Sequence, residues 1–126
     1  FNGETGPYMQ YTYVRTQSIL RNAGVKDIDD KDIDFSKLLD SEAIDVVKRL
    51  SEYTDIVISA TNKNEPSIIA RYLIDLAHSF SRFYNEHQII CDDEETKKAR
   101  LALTKCVGTT IKSGLALLGI STPEKM

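Results

Sequence analysis

The residue types with the most chemistry in them stand close together near the start of the chain, in Gly6-Pro7-Tyr8-Met9-Gln10-Tyr11-Thr12-Tyr13-Val14-Arg15. At about 100° per residue on a helix, Tyr8, Tyr11 and Arg15 share one narrow stripe, and Met9, Tyr13 and Leu20 share another. The first stripe offers rings on which nucleobases stack and a guanidinium that holds phosphate. The second reads as core contact. Tyrosines on a helix also serve as core or half-buried packing residues, so spacing alone leaves both uses open.

Other reactive types are sparse. His78 and His87 each stand without a visible partner and read as surface histidines rather than catalytic bases. Cys91 and Cys106 form no CxxC pair, and two histidines are too few to define a metal site. Unpaired cysteines suit a reducing, cytosolic compartment, with a disulfide as the open alternative. The aspartates of residues 25–40 (Asp27, Asp29, Asp30, Asp32, Asp34, Asp40) lack the central Gly and terminal Glu of a calcium loop. That stretch reads as a solvated connection tethered by Ile28, Ile33, Phe35, Leu38 and Leu39. Asp92-Asp93-Glu94-Glu95 precede a helix, where the macrodipole stabilises carboxylates. A small hydrolase using those carboxylates with a histidine is the sharper alternative, and no cleft supports it. No Gly-rich phosphate loop or nucleophile elbow appears, so no catalytic or metal residue is assigned.

These residues need elements to hold them, and the pattern is helical throughout. Thr5 is the expected N-cap of a first helix, with Pro7 in its first turn, Ala23 at its end and Gly24 just past it. Asp40 or Ser41 caps the next segment, where Ile44, Val47 and Leu50, and Val46, Leu50, Tyr53, Val57 and Ala60, repeat at helical spacing. The pattern weakens over residues 50–56, which allows two short helices. Thr61-Asn62-Lys63-Asn64 breaks it and Pro66 opens a long helix to about His87. Its wide apolar stripe is Ile69, Tyr72, Leu73, Leu76, Ala77, Phe80, Phe83 and Tyr84, with Arg71, Asp75, His78 and Arg82 opposite. In the last helix, Ala99, Leu103, Cys106, Thr110, Leu117 and Leu118 are expected on the buried face. Lys98, Lys105 and Lys112 recur every seventh residue as a cationic stripe, a solvated face that could also follow a phosphate backbone. Gly119 stops the helix, and Ile120 folds back. The expected fold is all-α, a bundle of four to five helices without strands, internal repeats or low-complexity segments.

Composition agrees. The 126 residues suffice for one domain with a real core, spanning 1–126, and 41% hydrophobic with 28% charged is an ordinary soluble composition. No apolar run approaches the roughly 18 residues of a membrane span, and no signal peptide is visible. The chain opens on Phe1 rather than Met, which suggests a piece of something larger. A net charge of −3 argues against indiscriminate polyanion binding, though a local basic face could still take RNA.

Three long segments carry a resemblance. FNGETGPYMQYTYVRTQSILRNAG is similar to the helix that follows the catalytic domain in the arginyl-tRNA synthetase family. EPSIIARYLIDLAHSFSRFYNEH resembles that family's central helix, and ARLALTKCVGTTIKSGLALLGISTPEKM its carboxyl-terminal segment, including the final Met. The resemblance implies a DALR-type anticodon-binding domain of a class I aminoacyl-tRNA synthetase, docking on the anticodon stem-loop of arginine tRNA. It further implies a cytoplasmic parent enzyme that joins arginine to tRNA with ATP and magnesium in a separate catalytic domain. This chain alone would hold no cofactor and be inactive, a monomer that meets its own catalytic domain and no membrane. Carried over by matching position, the RNA-binding residues are Tyr8, Tyr11, Arg15, Tyr84 and Met126. Gln88 stands where some relatives have a second aromatic, so a stack there is lost or becomes a hydrogen bond. Many relatives have a proline near Tyr53-Thr54, a departure that bears on helix continuity. A helical protein-interaction module without RNA binding is the alternative from a different class.

Overall fold

The computed structural model describes residues 5–25, 28 and 30–126, and among them every regular element is helical. Five α-helices follow one another: α1 Thr5–Asn22, α2 Ser41–Ser51, α3 Tyr53–Lys63, α4 Ser67–Glu86 and α5 Glu94–Leu117. Two 3-10 turns, Asp30–Asp32 and Phe35–Lys37, break up the link from α1 to α2.

Side-chain caps begin the helices where short acidic residues stand. The Asp40 carboxylate accepts from the Ala43 N–H at 2.8 Å and opens α2; Asp93 accepts from the Thr96 N–H at 3.0 Å and opens α5. Thr5, expected as the cap of α1, instead lies inside its first turn, because the helix already includes it. Three helices end in the same left-handed turn. Gly24 (φ 71°) and Gly119 (φ 74°) take it freely, and Asn64 (φ 53°) takes it as the side chain that best tolerates that region. At two of these ends the closing hydrogen bonds are Val25 N–H to Leu20 C=O at 3.1 Å and Ile120 N–H to Leu115 C=O at 2.9 Å. The same turn at Asn64 means that α3 runs through Thr61 and Asn62 to Lys63 rather than breaking at Thr61.

α4 is the hub. It touches the other four helices, while α5 lies mainly along α1. Ile69, Tyr72, Leu73, Leu76, Ala77, Phe80 and Phe83 are all buried, as their spacing requires. The break between α2 and α3 falls at Glu52, whose N–H bonds back to Arg49, so the weak stretch of pattern does hold two helices. Tyr72 crosses to α2, donating its hydroxyl to the Arg49 carbonyl, and burial pushes its phenol up to about 12.

Two expectations about packing are corrected. α5 buries Ala99, Leu103, Thr104, Val107, Ile111 and Leu115, whereas Cys106 and Leu117 are exposed and Thr110 is half-buried. The buried face is turned by about one residue step from the expected one, because α5 serves α1, α4 and α2 together. Close approach fixes that rotation: a methyl group on Gly108 would meet Thr16 Oγ1 of α1 at 2.5 Å, and one on Gly114 would meet Leu73 of α4 at 2.7 Å. Among the described residues of the 25–40 link only Leu38 is buried; Ile28 and Ile33 pack partly, while Phe35 and Leu39 face solvent. Asp34 and Asp40 serve there as backbone caps, and Asp27 and Asp29 lie outside the described residues.

Candidate nucleic-acid interface

The seam between α1 and α4 gathers the aromatic and basic residues. Tyr11 and Arg15 are one helical turn apart on α1, and Tyr84 comes from the last turn of α4. The Arg15 guanidinium lies 4.7 Å from the Tyr84 ring centroid and 5.6 Å from that of Tyr11, a cation held between two aromatic faces. Each ring keeps much of its area in solvent, at 54% for Tyr11 and 39% for Tyr84. Both are therefore open to a further stacking partner. Met126 folds back to the same place and is 66% exposed. Together with Val14, Ser18, Ile19 and Asn22 these side chains line an open concavity of about 350 Å³.

A second concavity of about 430 Å³ adjoins it, sharing Ile19, Asn22 and Tyr84 and adding Asn85, His87, Gln88, Ile89 and Ile90. Gln88 thus lies in the adjoining hollow, apart from Met126. Its backbone carbonyl accepts from Arg100 Nη1 at 2.7 Å, which ties the segment after α4 to α5. Tyr8 stands a turn before Tyr11, half-buried, with its hydroxyl 3.3 Å from Ser81 Oγ and its ring 5.2 Å from that of His78. Four of the five expected residues therefore converge, and Tyr8 extends the same seam as a packing contact.

The lysine stripe of α5 follows the other side of α1. Lys105 and Lys112 border a groove of about 400 Å³ with Tyr13, Gln17 and Arg21, and the Lys112 ammonium is 6.0 Å from the Tyr13 ring centroid. Lys98 pairs with Glu95 at 3.7 Å. The stripe is not part of the Tyr11–Tyr84 concavity.

His87 departs from the reading of a partnerless surface histidine. Its Nε2 lies 2.8 Å from Glu42 Oε1 and 3.0 Å from Asp40 Oδ1, so it joins the end of α4 to the start of α2. The hydrogen bond from Ser41, then that from His87, draws the Glu42 carboxyl below its ordinary range. These three are the one group of three metal-type donors among the described residues. Each already has a hydrogen-bonding use in the clamp, so the group carries no metal assignment. Sequence gave no sign of the clamp, since its partners are 45 residues apart. A second unforeseen network surrounds Asp45, which accepts from Ser79 Oγ at 2.7 Å and pairs with Arg82 at 3.1 Å and Arg49 at 3.5 Å.

A helical bundle that brings exposed tyrosine rings and a guanidinium together has the outline of a nucleic-acid-binding module. The chain belongs to the DALR anticodon binding domain family, whose model matches residues 9–126. It is 48% identical over its whole length to the arginine–tRNA ligase of Halothermothrix orenii, and likewise 48% to that of Clostridium kluyveri. It spans 22% of the length of each of these relatives. Among solved structures, the arginyl-tRNA synthetase of Thermus thermophilus superposes with a TM-score of 0.86 at 34% identity, covering 100% of this chain and 22% of that one. The Plasmodium falciparum enzyme superposes at 0.83 with 27% identity, covering 99% of this chain and 22% of that one. The all-helical architecture is thus that of a synthetase anticodon-binding domain, and an interaction module without an RNA role is not favoured.

Proposed function

We propose that residues 1–126 form one unit whose α1–α4 concavity receives the anticodon loop of arginine tRNA, as part of a protein that ligates arginine to that tRNA. The observation that carries this reading is the Arg15 guanidinium held between two exposed tyrosine rings, with Met126 beside them. Loop bases splay out of their stack and need flat partners. Tyr11 and Tyr84 supply these, Arg15 reaches a phosphate or a base edge, and the flexible Met126 fills space against a displaced base. Tyr8 borders the seam, and Gln88 offers an amide where a further base would reach the adjoining hollow.

Among the described residues ATP and magnesium meet no fitting site, because the one three-donor group is engaged as a clamp. We place them in the catalytic domain of the parent protein, in the cytoplasm. The intact chain works as a monomer, with this unit docked on its own catalytic domain. Among the described residues no helix is long and apolar enough to cross a membrane. Anticodon docking then has a route to influence the distant active site, a coupling between two sites.

The experiment is a titration of the protein with an arginine-tRNA anticodon stem-loop, beside one with altered anticodon bases, at two salt concentrations. Tighter binding of the cognate loop that weakens with salt is expected. Equal affinity for both loops would place anticodon discrimination outside this concavity.

A further inference from the structure

The segment after α5 returns along α1, and two α1 side chains hold it. Ile120 packs partly buried against the core. Gln10 Nε2 donates to the Ser121 carbonyl at 2.7 Å, and the Tyr13 hydroxyl donates to Glu124 Oε1 at 3.2 Å. Tyr13 is itself buried, at 3% exposed. Met126 follows two residues later in the concavity with Tyr11, Arg15 and Tyr84. Being largely exposed, it has little packing of its own to hold it there.

The charge of Glu124 is informative. A carboxylate close to a site for a polyanion opposes binding by like-charge repulsion, so direct contact with RNA gives it no use. Its hydrogen bond to Tyr13 does. The donor, Tyr13, lies on the same helix that carries Tyr11 and Arg15, and the bond therefore sets the register of Met126 against that pair.

We propose that Glu124, held by the Tyr13 hydroxyl, is a positioning residue that places Met126 against Tyr11, Arg15 and Tyr84 in the RNA site. The inference rests on reading the concavity as the anticodon-loop site. It predicts that the acceptor matters and the charge does not. Glu124→Ala and Tyr13→Phe weaken stem-loop binding roughly two- to tenfold, the scale of one net hydrogen bond. Glu124→Gln keeps an acceptor, sheds the like charge and binds at least as tightly as the parent. The Glu124→Ala/Met126→Ala double variant binds no more weakly than Met126→Ala alone, because the first acts through the second.

The test is this set of affinities in the intact protein, with the methionine methyl NMR signal that disappears in Met126→Ala followed without RNA. That signal should move toward the position of an exposed methionine in Glu124→Ala and stay in place in Glu124→Gln. An unmoved signal with unchanged affinity in Glu124→Ala would overturn the proposal, as would fully additive losses in the double variant. If the parent protein fails to bind the stem-loop, the functional reading falls, while the methyl signal still decides whether Glu124 places Met126.

Discussion

Arg15 sits where two kinds of contact compete for one guanidinium. It lies against Tyr84 and Tyr11, both part-exposed. Truncating Tyr84 to Ala removes a stacking platform and one wall of the cation's site, and should weaken stem-loop binding by about 1–3 kcal/mol with the helical signal unchanged. Arg15→Ala should flatten the salt dependence by about one phosphate contact. Lysine at that position should restore the slope but not the full affinity, since an ammonium lacks the planar stacking face. Asp45 makes a prediction of a different kind. The Ser79 hydroxyl, then Arg49 and Arg82, hold its carboxyl below the ordinary 3.8, against the opposing effect of burial. A depressed folded pKa contributes stability above the unfolded value that is lost as pH falls through the folded one. Acid denaturation should therefore show a loss of stability setting in below about pH 4, and Asp45→Asn should make that decline shallower.

Among the elements, α5 depends on two missing side chains. Gly108 and Gly114 let α1 and α4 approach its backbone, and the neighbours they would strike, Thr16 and Leu73, are both fully buried and unable to yield cheaply. Gly114→Ala gains helix propensity, yet should lower stability by about 1–3 kcal/mol through overpacking, measurable as a lower urea midpoint. An unchanged or raised midpoint would mean that α4 can shift at little cost. The join between α2 and α4 has a separate support in the Asp40, Glu42 and His87 clamp, which closes the bundle beside the hollow that Gln88 lines.

For the molecule as a whole, α4 ties binding to folding. Its one side buries Phe80 and Phe83 fully, and Tyr84 projects from the same last turns into the concavity. Phe80→Ala should cost about 3–5 kcal/mol, and all helices should melt together, as expected of a bundle with one shared core. Separate transitions for α1–α5 and α2–α3 would show that the core is divided. Net charge adds a constraint at this scale. At −3 overall, affinity has to come from local placement rather than a general positive field, so binding to a non-cognate polyanion such as heparin should be weak.

Residue order alone was enough for most helix positions, because helix formation is local, although α3 runs past the break expected at Thr61. Caps, Gly stops and the apolar repeat act within a few residues, so a weak point within residues 50–56, the turns at Gly24 and Gly119 and the buried stripe of α4 were legible, while the structure set the break at Glu52. The stripe of Tyr8, Tyr11 and Arg15 was legible for the same reason, and the family resemblance joined Tyr84 and Met126 to it. What required the tertiary structure was every contact between elements. That Arg15 meets Tyr84, that His87 meets Glu42 and Asp40, and that the 119–126 segment hangs on Gln10 and Tyr13 all depend on which faces pack together. The facing of α5 shows why. Its periodicity allowed Cys106 and Leu117 inside, and only the close approaches at Gly108 and Gly114 turned them out, since backbone proximity across helices leaves no periodic signal in a single chain.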